Sequence, residues 1–347
     1  MSTSPIRVGI VGAGGVARRH AAAWNRSDRA ELVGFTDLEQ AKATAHATTY
    51  GGRACGSLQE LLDGSDVDLV DICTKEVHHA EPALAALAAG MPVLCEKIMA
   101  GNMRDGWRMV RAARQQAGVF TAMQYNYRSI PGLAELIAMT QDQRYGDLRQ
   151  LTITCAQSTY DHLLDSALAM LGEPLQVNAS GDPPDAAMQG VAEELVYRPG
   201  NHPGAVFNAS IRCAEGRLLS MNCCRASNHE QLPFHCLACF ERATVVLDSC
   251  SIQTDVLGRL ALLPDGEPLL KRSAHPAHDF PSLSFHAALD DVARRLQEGL
   301  PPRSTWEDGW NTMLVAHASA RSLQTGRRID LVDVRRDYEN DDQEVEA

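Results

Sequence analysis

Apolar residues in the first third of the chain come in short runs, each followed by a stretch whose apolar positions recur at helical spacing. Residues 6–11 (IRVGIV) form the first run, and a glycine-rich turn separates it from a stripe made by Val16, His20, Ala23 and Trp24. An uninterrupted apolar run of this length fits a strand buried on both faces, and the three-to-four spacing fits a helix. The pair of patterns repeats. Strands are predicted over residues 31–36, 67–73, 92–95 and 119–123. Helices are predicted up to about Tyr50 (closed by Gly51 and Gly52), over 57–64 (capped by Ser57), over 79–89 (stopped by Gly90) and over 103–117 (stopped by Gly118). Regular alternation of this kind predicts an α/β fold with a doubly wound parallel sheet, whose ligands lie at the carboxyl ends of the strands.

Beyond Tyr125 the texture changes. A helix is predicted at Pro131–Met139, an alternating strand over 148–157 and a helical stretch over 162–171, stopped by Gly172. Residues 175–263 hold several strand-like runs, with turn signals at Pro199-Gly200, Glu215-Gly216 and Pro264-Asp265-Gly266. Amphipathic helices over 283–298 and 305–324 follow. A length of 347 residues suits two domains. We expect a Rossmann domain over residues 1–124 and an α+β domain over 125–336 with a large, mostly antiparallel open-faced sheet. The helix over 305–324 is a candidate to pack back on the first domain. Residues 337–347 are acidic, lack an apolar pattern and are expected to be disordered.

The first turn carries candidate chemistry. Gly12 permits a tight turn, Gly14 lets the backbone approach a pyrophosphate, and Ala17 fills the small third position of a G-x-G-x-x-G/A fingerprint. With Ala13, Gly15 and Val16 they form a phosphate cradle, to which the new helix offers N–H groups and its positive dipole end. Asp37 ends the second predicted strand, 25 positions after Gly12, close to where such folds hold the adenosine ribose hydroxyls. Its charge repels a 2′-phosphate, and neither Leu38 nor Glu39 supplies a cation. The expected cofactor is therefore NAD, with NADP as the alternative.

Composition removes several function classes. A net charge of −12 argues against a nucleic-acid or anionic-membrane partner. No run approaches 18 apolar residues, and the opening MSTSPIR lacks the apolar core of a signal peptide, so a cytoplasmic location is expected. Ten cysteines are then expected as thiols. Cys236 and Cys239 form a C-x-x-C within a strand-like segment, where positions i and i+3 point to opposite faces. His275 and His278 sit in a proline-rich loop without a partner pair. No metal site is expected from either.

Three further stretches fall at carboxyl ends of predicted sheet strands: Thr74-Lys75-Glu76-Val77-His78-His79, Cys95-Glu96-Lys97, and Gln124-Tyr125-Asn126-Tyr127-Arg128. With the opening glycine turn, TKEVHH, VLCEKI and YNYRSIP resemble, in order, the T-P-x-x-x-H, V-x-x-E-K-P and y-n-x-R-x-x-P segments of the Gfo/Idh/MocA family of sugar and cyclitol oxidoreductases. WEDG and TGRRIDL resemble that family's closing helix and last strand. The resemblance implies a catalytic lysine at Lys97. A lysine at an apolar strand end is partly desolvated, and its ammonium can polarise a carbonyl or hold an alkoxide. Ser158-Thr159-Tyr160-Asp161-His162-Leu163-Leu164-Asp165 aligns with the family's D-x-G-x-H-x-x-D. That alignment makes His162 the general acid or base, a role suited to an imidazole near neutral pH. The same resemblance implies cofactor contacts at Thr74, Lys75, His79, Glu96, Lys97 and Gln124, and substrate contacts at Lys97, Tyr125, Arg128, Ser158, His162 and Asp165.

The departures carry expectations of their own. Ile98 stands where the family has proline, and a cis peptide before a residue other than proline costs about 3–4 kcal/mol, so a trans peptide is expected. Ser158 replaces an aspartate that assists the histidine, and Tyr160 replaces a glycine. Tyr160 or Asp161 is the candidate replacement proton-handling group, and Asp161 is also a candidate helix N-cap. The leading expectation is an NAD(P)-dependent oxidoreductase acting on a hydroxyl or carbonyl of a sugar-like or cyclitol-like small molecule, assembled as a homodimer or homotetramer through the C-terminal sheet. The shortened loop before His162 also resembles the family's thiazolinyl imine reductase branch, which makes C=N reduction the alternative. A non-catalytic NAD(H)-binding sensor or partner subunit is a further alternative.

Overall fold

Strand β1 (Ile6–Val11) is buried along nearly its whole length, as an apolar run between two layers must be. It opens a computed structural model that describes residues 4–64, 66–156, 159–182, 206–224, 234–248, 259–264, 270–273 and 280–339. The chain forms two units: residues 1–126 with 281–310, and residues 127–280 with 311–347.

In the first unit β1 leads into α1 (Gly15–Trp24), then β2 (Ala30–Thr36), α2 (Gln40–Tyr50), β3 (Arg53–Cys55), α3 (Leu58–Gly64), β4 (Leu69–Ile72), α4 (Ala80–Ala88), β5 (Val93–Glu96), α5 (Met103–Gln115) and β6 (Thr121–Gln124). Among the described residues the strands form one parallel sheet in the order β3-β2-β1-β4-β5-β6. That order reverses at β1/β4, which is where a doubly wound sheet opens a crevice at its carboxyl edge. Caps follow the sequence signals: Ser57 Oγ accepts from Glu60 N at 3.1 Å, and Asn102 accepts from Asp105 N at 2.8 Å. The helix Phe280–Glu298 follows the second region in sequence, yet its Phe285, Leu289 and Ala293 join the core built by Val8, Ile10, Trp24 and Leu94. Segment 304–305 runs along the open edge of β6, where Met123 N donates to Ser304 O at 2.9 Å and Ala122 bridges Thr305.

In the second unit, α6 (Pro131–Met139) precedes β7 (Leu148–Ala156), α7 (Tyr160–Leu171) and β8 (Pro174–Gly181). The strands β9 (Phe207–Cys213), β10 (Leu218–Cys224), β11 (His235–Phe240), β12 (Ala243–Asp248), β13 (Arg259–Pro264), β14 (Leu270–Ser273) and β15 (Ile329–Asp330) complete a nine-stranded sheet among the described residues. Its order is β14-β13-β12-β11-β7-β10-β9-β8-β15, with β7 and β10 parallel and the other neighbours antiparallel. Alternation sends Leu151, Ile153 and Cys155 of β7 inward, where α7 covers them with every residue but Ala169 buried. Cys236 and Cys239 point to opposite faces, one fully buried and the other half-buried, which removes the C-x-x-C as a chelate.

The closing helix Leu331–Glu339 is absent from the sequence expectation, because it buries only Leu331 and Val334, too few positions to show a period. Residues 337–339 finish that helix, and the remaining acidic residues, 340–347, lie outside the described residues. So do Pro199-Gly200, His275 and His278. No helix among the described residues is long and apolar enough to cross a membrane.

Candidate active site

The glycine turn follows β1 directly. Gly12 has φ +94°, and a Cβ there would meet the Cys73 carbonyl and the Thr74 nitrogen at 2.8 Å, because β4 runs beside β1. Only glycine allows that approach. Ala13 N donates to Asp37 Oδ2 at 2.7 Å, so the acidic residue at the end of β2 is tied to the turn itself. Its second oxygen accepts from Glu39 N at 2.8 Å. Gly14 begins α1 with no side-chain cap, a Cβ on it would meet nothing within 4 Å, and Gly14 and Gly15 are exposed. The start of α1 thus presents uncapped N–H groups beneath open space. Ala17 is fully buried, consistent with its packing role. Leu38, fully exposed next to Asp37, offers an apolar shelf at the same edge.

Two loops at the carboxyl edge meet at His79, whose Nδ1 lies 2.9 Å from Ile98 O and whose Nε2 lies 3.1 Å from Thr74 O. Burial pushes its pKa down. Lys75 is exposed and Lys97 half-buried. The Lys97–Ile98 peptide is cis, which corrects the trans expectation. The expectation weighed the peptide alone. In the structure Lys97 N donates to Glu96 Oε2 at 2.8 Å on one side, and Ile98 O meets His79 on the other. The Glu96 carboxylate is turned inward, with its other oxygen 2.9 Å from His20 Nε2. Gln124, paired in register with Glu96, is buried, and its Nε2 has no hydrogen-bond partner among the described residues. Tyr125 is buried beside it. The glycine turn, Asp37, the Thr74–His79 loop, Glu96, Lys97 and Gln124 therefore belong to one edge of one sheet.

The remaining candidates belong to the second unit. His162 is buried in the first turn of α7 and stacks on Tyr127, with ring centroids 4.2 Å apart and planes 10° from parallel. Burial raises the Tyr127 phenol to about 12, so it stacks as a neutral ring at ordinary pH. Arg128 and Asp165 hold each other in a two-point ion pair, Nε–Oδ2 2.7 Å and Nη2–Oδ1 2.6 Å, with side chains 5% and 0% exposed. Tyr160 is a core residue: fully buried, edge-on to Phe207, its phenol pushed well up by burial. Asp161 lies in the first helical turn, and the capping position belongs to Thr159, which corrects the N-cap expectation for Asp161. Thr159 has helical backbone angles and makes no side-chain cap. Ser158 lies outside the described residues.

Sequence reasoning missed one group. His20 was read only as part of an apolar stripe, yet its Nδ1 lies 2.8 Å from Asp71 Oδ2 and its Nε2 faces Glu96. The available signal was an aspartate inside a strand buried on both faces.

Comparison with known proteins agrees with this geometry. The model of an oxidoreductase family with an NAD-binding Rossmann fold, Gfo/Idh/MocA, matches residues 6–124. The match falls within the first unit and likens that region to the NAD-binding domain of this family. Glucose-6-phosphate 3-dehydrogenase of Bacillus subtilis is 32% identical over 147 residues, which are 42% of this chain and 41% of that protein. The chain thus matches less than half the length of this relative. D-glucoside 3-dehydrogenase of Escherichia coli is 26% identical over an alignment covering 95% of this chain and 99% of that one. Among solved structures, the myo-inositol dehydrogenase of Corynebacterium glutamicum superposes with a TM-score of 0.75 at 21% identity, covering 94% and 99% of the two chains. Levoglucosan dehydrogenase in complex with NADH gives 0.77 at 18% identity over 94% and 99%. These two establish the fold, and the family's dinucleotide is NAD. The residues here fit that cofactor: an uncapped helix start under Gly14, an acidic strand end at Asp37, and an unsatisfied buried amide at Gln124.

Proposed function

We propose that the protein is an NAD-dependent oxidoreductase that takes hydride from a hydroxyl-bearing carbon, or returns it to the corresponding carbonyl carbon, of a sugar-like or cyclitol-like metabolite. The observation that carries this reading is Lys97 at the carboxyl end of β5, half-buried and fixed through its backbone at the same edge as the glycine turn. Relatives named for oxidation of glucose 6-phosphate, glucosides and inositol support the substrate class.

Gly12 to Ala17 would hold the pyrophosphate, Asp37 the adenosine ribose, and Gln124 and the Thr74–His79 loop the nicotinamide half. Bound NAD supplies the hydride acceptor at nicotinamide C4, and NADH the donor in the reverse direction. The Lys97 ammonium holds the oxygen on the reacting carbon and favours the alkoxide over the alcohol. His162 takes the hydroxyl proton during oxidation and returns it during reduction. Tyr127, stacked on His162, and Arg128, paired with Asp165 on the helix that carries His162, keep that imidazole in place. The two-point contact between Arg128 and Asp165 supports a positioning role for the pair. Self-association through the open face of the nine-stranded sheet, where Leu218 and Leu237 are exposed, completes the proposal.

Purified protein is tested with NAD and myo-inositol, D-glucose 6-phosphate, a methyl glucoside and levoglucosan. The expected result is NADH formation with at least one of them. Lys97→Met is expected to lower kcat about 100-fold or more while NADH affinity stays within about threefold. Unchanged turnover in that variant refutes the role of Lys97, and activity confined to C=N compounds refutes the substrate class. Monomer at micromolar concentration in sedimentation refutes the assembly.

A further inference from the structure

The first unit buries a charged chain of contacts that the proposed mechanism does not use. Asp71 of β4, His20 of α1 and Glu96 of β5 are linked in that order, His20 Nδ1 to Asp71 Oδ2 at 2.8 Å and His20 Nε2 to Glu96 Oε1 at 2.9 Å. All three are buried, His20 and Asp71 completely. Trp24 Nε1 donates to Asp71 Oδ2 at 2.8 Å, and the Cys73 thiol lies 3.5 Å from its other oxygen. The far end of the chain is Glu96 Oε2, which accepts from Lys97 N.

We propose that His20 is a positioning residue that sets Lys97 through Glu96. The inference rests on the reading of Lys97 as the group that holds the substrate oxygen. A carboxylate only accepts hydrogen bonds, so an imidazole lying between two of them satisfies both by donating from both nitrogens, as an imidazolium. One positive charge then serves two buried negative ones, and loss of either partner leaves a charge stranded in the core. The groups facing His20 are Asp71 and Cys73 from the β4 end, Glu96 from β5, Trp24 from its own helix and the Phe285 ring, 5.4 Å away edge-on. Burial works against the charge, but Asp71 and the Cys73 sulfur, both hydrogen-bonded to the ring, outweigh it and hold the His20 pKa well above its ordinary value. His79 ties Ile98 on the opposite side, so the short segment 96–98 is gripped from two directions. Glu96 cannot rotate towards the crevice without breaking both of its contacts, and the Lys97 backbone keeps one orientation.

His20, Asp71 and Cys73 also place potential metal-ligand atoms within 4.8 Å of one another. Both imidazole nitrogens are already engaged by carboxylates, which favours the proton over a cation.

The test combines two measurements on the full chain. Nitrogen-15 NMR of histidine-labelled wild-type protein is expected to show His20 carrying protons on both ring nitrogens at neutral pH. A neutral ring under that condition overturns the proposal, as does stoichiometric zinc in the purified protein. Kinetics with NAD and the polyol of the above panel that the wild type oxidises then compare His20→Gln, Glu96→Gln and the double variant. Each single change is expected to lower kcat tenfold or more with KM and NADH affinity within threefold. The double variant is expected to be no slower than the slower single one. A folded His20→Gln enzyme with wild-type kcat, or losses that multiply in the double variant, overturns action through Glu96. A role in stability alone would lower Tm and leave kcat intact. If Lys97→Met is fully active the functional reading fails first, while the NMR result still decides the state of His20.

Discussion

The two-point pair between Arg128 and Asp165 gives a prediction that needs no substrate. Replacing Arg128 by Met keeps an aliphatic stem of similar length and removes the guanidinium that meets both carboxylate oxygens at 2.7 and 2.6 Å. The Asp165 side chain is 0% exposed, so its charge loses its two-point counter-ion where water does not reach. Breaking one side of a buried pair costs about 3–5 kcal/mol. For a domain of 150–250 residues each kcal/mol moves Tm by about 2–4 °C, so a fall of roughly 6–20 °C is expected. Replacing both residues, as Arg128→Met with Asp165→Leu, removes the stranded charge, and that variant is expected to be more stable than either single one. Thermal and guanidinium unfolding followed by circular dichroism measures all four proteins. A single-variant loss below about 1 kcal/mol, or a double-variant loss equal to the two singles together, refutes a closed buried pair.

The cradle separates fold from binding. Gly12→Ala is expected to destabilise by about 2 kcal/mol or more, since φ +94° and a 2.8 Å approach to the Cys73 backbone both oppose a Cβ. Gly14→Ala, with nothing within 4 Å, is expected to keep Tm and weaken NADH binding about tenfold by fluorescence titration; equal behaviour of the two variants contradicts the assignment. Asp37→Ser is expected to lower NADH affinity about tenfold and to narrow the preference over NADPH, and an unchanged ratio would show that the carboxylate does not select the cofactor. His317, buried beside the Arg321 charge, is lowered to about 4, first by burial and then by that charge. Its folded pKa lies below the unfolded value near 6.5, so the unfolded chain takes up the proton first. Stability from this group is full above about pH 6.5 and declines by up to about 3 kcal/mol as pH falls towards 4. Urea midpoints across that range should fall more steeply for wild type than for His317→Phe, and parallel curves would reject the shift.

Much of the first unit was legible because its determinants are local. An apolar run, a glycine turn and a stripe at helical spacing specify β1, α1 and the turn between them within 19 residues, and Gly12 behaves as its position demands. The second unit was legible as strands and less so as a sheet. Nothing near Leu148 says that β7 pairs in parallel with β10, some 70 positions on. Nor does sequence order reveal that Phe285 and Leu289 of a late helix fill the core of the first unit. Tyr160 was read as a proton-handling candidate from alignment with a motif, but α7 turns it wholly into the core, against Phe207.

Ile98 and Asp71 show where a single-residue rule stops. The cost of a cis peptide counts Lys97 and Ile98 alone, and says nothing of Glu96 and His79, which hold the atoms on either side. Asp71 sits in a four-residue strand whose every residue is buried, and a charge in that position requires a counter-charge. The sequence therefore demands a partner for Asp71 without saying which. His20 lies 51 positions away and Glu96 lies 76 from His20, so only the parallel order of β1, β4 and β5 beneath α1 could bring them together. A polar residue that breaks an otherwise apolar element is thus a prediction of a long-range contact. Here that contact ends on the backbone of the lysine for which the chemistry is proposed.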